Sequence, residues 1–417
     1  MAVHERLSRA PATARARVSS LANAAVAQAI RSEFLLAGDD GFRNLPAVAC
    51  AEALVLAVAV ANGDWHEADA MAAFAALHRR SLAFENMAPD RAAAALATIV
   101  DPTERIAREY ALPRWFAESL RREYGDAAVP IAAALLAPPP RTLRANLLRV
   151  HDRDRLAREL GAEGVRTRPA SYAATALHVD GDVDLFATAA FRRGAFEQQD
   201  EASQLAVAAV APPPGGKVLD VCAGAGGKAL GIAALLQNRG TVLAADVHAG
   251  RLQSLVERKA RAGADNVQVA AVGEREWPAE VQAFAAVADR ILVDAPCSGT
   301  GSWRRRPEAR HAMRPDRLAA LQATQDDLLT RAAALLRPGA RLCYATCSLL
   351  ADENERRIEA LRARDPSLEP VRLVEILGGA VARPIADATG TFLSLRPDTH
   401  GCDGFFLAVL RRRAGKP

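Results

Sequence analysis

Val218-Leu219-Asp220-Val221-Cys222-Ala223-Gly224-Ala225-Gly226-Gly227-Lys228 joins an apolar run to a glycine-rich turn. The run Val218–Val221 has the character of a buried parallel strand, and Ala229–Leu236 beyond the turn reads as a helix. In such a unit the glycines let the backbone turn sharply beside a ligand, whose polar groups meet unpaired N–H groups at the helix start. Asp246 ends the next apolar strand, Thr241–Ala245, 20 residues beyond Gly226, where an acid accepts hydrogen bonds from ribose hydroxyls. A nucleoside cofactor is implied. The nicotinamide fingerprint would need glycine at 229, which here is Ala229.

Outward from this unit, strands and helical patterns alternate. Val267–Val272, Ile291–Val293 and Arg341–Ala345 read as further strands, and Pro315–Leu336 as an amphipathic helix stopped by Pro338-Gly339. Thr391–Leu395 and the piece from Asp403-Gly404-Phe405-Phe406 to Leu410 read as a closing antiparallel pair. Alternation of this kind specifies an α/β, Rossmann-like core: a parallel sheet covered on both faces, with ligands at the carboxyl ends of its strands. Two cysteine motifs fall at such ends, Asp294-Ala295-Pro296-Cys297-Ser298-Gly299 and Tyr344-Ala345-Thr346-Cys347-Ser348.

From about residue 112 to 411 the chain resembles the Fmu/Sun-type RNA cytosine-C5 methyltransferases, and its two cysteine motifs carry the resemblance. Asp220 fits the aspartate-led loop of enzymes that use S-adenosylmethionine. The usual Cys-Ala-Ala-Pro-Gly-Gly-Lys-Thr stands here as Cys222-Ala223-Gly224-Ala225-Gly226-Gly227-Lys228-Ala229, without the proline and threonine. The resemblance implies S-adenosylmethionine as cofactor, with its methionine part in the 222–228 loop and its ribose at Asp246. Near the adenine, Glu274 aligns with a position that is usually aspartate, an exposed loop glutamate being the alternative. Cys347 is then the nucleophile, Cys297 the release partner, and Asp294 the acid facing the cytosine edge or the cofactor. Lys228 polarises the base or holds Asp294. Buried structural thiols are the competing reading for cysteines, accepted here for Cys50 and Cys343. A metal site at Cys343 and Cys347 lacks a completing ligand set.

The 417 residues suffice for two or three domains, and half of them are hydrophobic. The expected division is 1–126 as a helical bundle, 127–204 as a small α+β domain, and 205–417 as the methyltransferase core. Ala12–Leu36, Val48–Asn62, Trp65–Ala83 and Asp90–Ile99 carry the helical periodicity of the bundle. By position it corresponds to an RNA-binding domain like the NusB antitermination factor, with Arg15, Arg17, Arg79 and Arg80 as contacts or as solvated helix faces. In the second domain Asp152–Leu160 reads as a helix, and Arg144 and Asn146 are RNA contacts or junction hydrogen bonds. Asp200 in Gln198-Gln199-Asp200-Glu201 caps the helix that leads into the core. Arg304, Arg305 and Arg306 suit phosphates, a solvated charge run being the alternative.

A net charge of +4 is compatible with RNA without requiring it. The six cysteines show no disulfide framework, which suits a reducing cytoplasm. No signal peptide is visible, and the apolar segment Leu45–Asn62, interrupted by Glu52, reads as a buried helix. The expectation is a cytoplasmic monomer acting on RNA, ribosomal ahead of transfer RNA, with no membrane or metal partner. The other readings are a catalytically idle RNA-binding ribosome-assembly factor and a DNA cytosine methyltransferase.

Overall fold

Strands Arg141–Ala145 (β1), Thr167–Pro169 (β2), Ala176–Val179 (β3) and Phe196–Gln198 (β4) form a small antiparallel sheet in the order β2-β3-β1-β4. Helix Arg153–Ala162 covers it, burying Leu156 and Leu160 against Leu143, Leu177 and Phe196. The computed structural model to which these elements belong describes residues 12–36, 42, 45, 47–62, 65–78, 82, 84, 87 and 89–414, the side chains of 12–23, 47 and 48 excepted.

The large sheet contains Lys217–Asp220 (β5), Thr241–Asp246 (β6), Val267–Ala271 (β7), Arg290–Asp294 (β8), Arg341–Thr346 (β9), Leu368–Pro370 (β10), Phe392–Leu395 (β11) and Phe405–Arg412 (β12). Its order is β10-β12-β9-β8-β5-β6-β7, with β11 paired to β12. Strands β5 to β9 are mutually parallel, whereas β12 runs antiparallel to β9, β10 and β11. The side-chain period of two sends alternate residues to opposite faces. Val218, Val242, Leu292 and Cys343 pack with helices Glu201–Val210 and Gly227–Leu235, while Leu219, Leu243, Ile291 and Tyr344 pack with Ala279–Val287 and Pro315–Leu335. Both faces are thus covered, which explains why these strands read as continuous apolar runs. The chain order reverses at β5, flanked by β6 and β8, so the crevice that binds ligands in such sheets lies beyond the carboxyl ends of β5 and β8.

The chain divides into two compact units, residues 1–138 with 303–314, and residues 139–302 with 315–417. The first is helical. Helices Ala12–Leu36, Ala47–Ala61, Glu67–His78 and Pro89–Ala97 match the expected elements closely, and Phe74, Leu82, Phe84 and Met87 are buried among them. Arg79 and Arg80 lie outside the described residues, as do the side chains of Arg15 and Arg17. Helices Arg114–Tyr124 and Ala128–Leu136 pack together on either side of the expected 126/127 boundary, and the break falls instead at Pro138-Pro139, where proline ends the helical run. The expected 204/205 boundary lies inside helix Glu201–Val210.

Local sequence did not show why residues 303–314 join the first unit. Trp303 is buried, its ring 4.8 Å from that of Phe116 and 6.3 Å from that of Trp115. Arg310, fully buried, donates to the carbonyls of Ala27 (3.0 Å), Ala111 (3.4 Å) and Leu135 (3.1 Å). Arg304, Arg305 and Arg306 belong to this same segment. Among the described residues, no helix is long and apolar enough to cross a membrane.

Candidate active site

Beyond β5 the backbone turns through Gly224 (φ 54°) and Gly226 (φ 81°) into helix Gly227–Leu235. Glycine is required at 226 twice over: the left-handed backbone disfavours a side chain, and a Cβ there would stand 2.0 Å from Leu255 Cδ1. At Gly224 a Cβ would meet nothing within 4 Å. The loop is thus packed on one side and open on the other, as a cofactor cradle must be. The helix begins two residues earlier than expected, with Gly226 as its cap.

Asp246, at the end of β6, holds this loop. Its Oδ2 accepts from the Gly224 N–H at 2.8 Å and its Oδ1 from the His248 N–H at 2.8 Å. Each oxygen keeps a second lone pair for a ligand hydroxyl. From below, Arg258 donates to the Ala225 carbonyl (2.6 Å) and grips Glu197, which also accepts from Arg261 at 2.6 Å. The guanidinium of Arg144 donates to the Gly227 carbonyl at 2.5 Å and to Gln199, and burial pushes its pKa down to about 10. Asn146 donates to the carbonyls of Gly194 and Ala262, both at 2.8 Å. For Arg144 and Asn146 the junction reading therefore holds: both are buried and bonded within the chain, Asn146 to backbone and Arg144 to backbone and Gln199. Asp200 caps its helix as expected, accepting from Ala202 N–H at 2.9 Å. Glu274 follows β7 on an exposed turn, its carbonyl accepting from Arg331 at 2.8 Å.

Ladder register brings the two cysteine motifs together. Asp294 lies opposite Ala345, so Cys297 and Cys347 leave neighbouring strand ends, and their sulfurs are 3.5 Å apart. The pair is polarised. The hydrogen bond between the two sulfurs raises the Cys297 pKa well above that of an ordinary thiol, with burial adding to it. That same hydrogen bond lowers Cys347 despite burial, with Ser302 and the Lys228 charge assisting. Lys228 Nζ donates to Asp294 Oδ2 at 2.6 Å with only 11% of its side chain exposed. Burial works against its charge, but Asp294 overcomes it and raises the Lys228 pKa. Cys343, by contrast, is buried on the helix-covered face, burial pushing its thiol up to about 12.

Two buried acids lie at this edge, Asp220, already noted in the loop motif, and Glu353, which sequence reasoning did not single out. Asp220 is fully buried, and neither carboxylate oxygen makes a close hydrogen bond among the described residues. Burial and then the charge of Asp294 push it up to about 8, against the opposing pull of Lys228. Glu353, also fully buried, bonds to the residues that follow both cysteines. Asp220 was visible as the lead residue of the loop motif, but its lack of a close partner was not. In Asp352-Glu353-Asn354-Glu355 nothing marks Glu353 as the buried acid, since a run of this kind reads as the acidic start of a helix.

Residues 207–411 match the family described as 16S rRNA methyltransferase RsmB/F, and residues 112–185 match a ferredoxin-like domain of RsmF/B-like methyltransferases. The chain is 34% identical over 319 residues to the probable ribosomal RNA small subunit methyltransferase B of Bacillus subtilis, covering 76% of this chain and 69% of that protein. It is 34% identical to the human 28S rRNA (cytosine(4447)-C(5))-methyltransferase over 66% of this chain and 34% of that one. A methyltransferase homologue from Pyrococcus horikoshii shares the fold with a TM-score of 0.63 and 26% identity, over 75% of this chain and all of that chain.

Proposed function

From the premise that this chain belongs to the 16S rRNA methyltransferase RsmB/F family, we propose that its target is a cytosine of ribosomal RNA and that Cys347 and Cys297 divide the chemistry. It is an S-adenosylmethionine-dependent RNA cytosine-C5 methyltransferase. The observation that carries the division of labour is the polarised pair of sulfurs 3.5 Å apart beside the Lys228–Asp294 ion pair.

S-adenosylmethionine supplies an electrophilic methyl group when bound, and the open side of the loop from Cys222 through Ala223, Gly224, Ala225 and Gly226 to Gly227 fits it. In this reading Asp246 takes the ribose hydroxyls, and Glu274 stands in the acidic position nearest the adenine. Carbon 5 of cytosine is a poor nucleophile until a thiolate adds at carbon 6. Cys347, the sulfur favoured as thiolate, forms that bond and leaves an electron pair for carbon 5. Asp294 meets the N3 and N4 edge of the base, and Lys228 holds its carboxylate in place. While Cys347 is bonded to carbon 6 its sulfur carries no charge, which relieves the main influence holding the Cys297 proton. Once its own proton has passed to water, the Cys297 thiolate can take the carbon-5 proton; the C–H electron pair then restores the double bond between carbons 5 and 6, and the sulfur–carbon bond breaks, returning its electron pair to Cys347.

Both thiols must be reduced to work, which supports a cytoplasmic setting. The helical unit is read as an RNA-binding element and the protein as a monomer.

The test is a denaturing gel of protein with labelled RNA and cofactor. Cys347→Ala should form no covalent adduct and transfer no methyl group, whereas Cys297→Ala should attack, methylate once and stay attached. The reverse pattern, an adduct trapped by Cys347→Ala and none by Cys297→Ala, would assign attack to Cys297. Absence of methyl transfer to ribosomal RNA by the wild-type protein would overturn the choice of substrate.

A further inference from the structure

We infer that Glu353 is a positioning residue that clamps the two cysteine loops and sets the separation of their sulfurs. Its carboxylate lies between Ser298, which follows Cys297, and Ser348, which follows Cys347. Glu353 Oε1 accepts from the Ser298 N–H at 2.8 Å and from Gln325 Nε2 at 3.0 Å. Glu353 Oε2 accepts from the Ser348 hydroxyl at 2.5 Å and from the Ser298 hydroxyl. A carboxylate has about four lone-pair sites, and these four donors fill them. No water is needed to satisfy it, which is why a buried acid is tolerable at this place.

The rest of the network points the same way. Gln325, also buried, donates from the same Nε2 to the carbonyl of Pro296, just before Cys297, at 2.9 Å. Asn354 donates to the Ser348 carbonyl at 2.9 Å and accepts from the Thr346 hydroxyl at 2.5 Å, bracketing Cys347. Tyr344 donates to the Glu353 carbonyl at 2.6 Å, fixing the acid to β9 itself. Each thiol loop is therefore held on both sides of its cysteine, and the carboxylate of Glu353 bonds directly to the residues following both, where the Thr300 hydroxyl also reaches both serine hydroxyls, at 3.5 and 3.1 Å. Hydrogen bonds between a buried acid and backbone amides or hydroxyls set distances to within a few tenths of an ångström, the tolerance that two sulfurs acting in turn on one base demand.

The inference deepens the proposed division of labour and rests on it, so its test needs a readout that requires no RNA. Full-length wild-type protein, Glu353→Ala, Glu353→Gln and Ser348→Ala are treated with diamide, which takes two electrons and two protons from a pair of thiols to close a disulfide. Mass spectrometry of peptides follows the Cys297–Cys347 bond specifically. Glu353→Ala should close it at least about tenfold more slowly and lower turnover per adduct-forming molecule by a similar or larger factor, since small misplacements of reacting groups cost up to about 100-fold. Glu353→Gln should recover part of both, because its oxygen can face the two N–H donors while the serine hydroxyls turn to accept. Closure at the wild-type rate in folded Glu353→Ala would overturn the clamp. Should that variant fail to fold, wild-type closure rates in both Glu353→Gln and Ser348→Ala would overturn it equally. A wild-type protein that transfers no methyl group, yet shows slower closure in the variants, would refute the proposed reaction and leave the clamp standing.

Discussion

Replacing Asp220 by asparagine should make the cofactor-free protein more stable at neutral pH and remove part of its pH dependence. Both carboxylate oxygens are buried without a close hydrogen bond among the described residues, the Ala229 N–H exerting only a minor opposing pull, and burial, reinforced by Asp294, raises the group from 3.8 to about 8. The folded chain therefore keeps a proton here that the unfolded chain releases above about pH 4. Stability linked to this group is fully present below pH 4, falls as pH rises, and levels off above about pH 8. At pH 7 the gap of about three units, at about 1.4 kcal/mol each, gives an upper limit of about 4 kcal/mol. Asparagine is nearly isosteric with the protonated acid and cannot ionise, so the variant escapes this loss. Urea unfolding of both proteins between pH 4.5 and 8.5 reads the effect as a difference that isolates one group from all others. The variant should lie within about 1 kcal/mol of the wild type near pH 4.5 and exceed it by about 2–4 kcal/mol near pH 8. A difference that stays constant across the range, or a variant less stable at pH 8, would refute the reading of Asp220 as a neutral buried acid.

Gly226→Ala should lower affinity for S-adenosylmethionine at least about tenfold in calorimetry, since a left-handed alanine costs about 1–2 kcal/mol and must also displace Leu255. Gly161→Ala, whose added carbon would meet nothing within 4 Å, should bind as the wild type does, and equal losses in both would discount the steric argument. Asp246→Ala should weaken cofactor binding more than Asp246→Asn, because the amide keeps one acceptor for the Gly224 or His248 N–H; unchanged affinity in folded Asp246→Ala would remove the residue from the site. Arg310→Met should destabilise the first unit by about 2–3 kcal/mol in thermal unfolding, as three carbonyls, those of Ala111 and Leu135 in buried residues, lose this donor, and an unaltered transition would show those bonds to be dispensable. For the same reason a chain starting near Leu112 is a poor test of RNA binding by the bundle: it would strip Arg310 of two acceptors.

Much of the core was legible because its cues are local. The apolar runs, the glycine turn and Pro338-Gly339 each act within a few residues, and strands β5 to β9 fall within a residue or two of their expected limits. Cys297 and Cys347 could be paired beforehand only through motif resemblance, for their 50-residue separation says nothing about distance. Register between β8 and β9 brings the sulfurs together, a consequence of ladder hydrogen bonds spread over many residues. Composition could not separate a charged side chain in solvent from one in the interior. Arg144, Arg310, Asp220 and Glu353 are all buried, and what each does depends on partners contributed by distant segments, or on their absence. Burial and hydrogen-bond satisfaction belong to the packed chain as a whole, so tertiary structure alone decided that Arg144 holds a loop, that Asp220 is buried beside Asp294 and that Glu353 joins the two thiol loops.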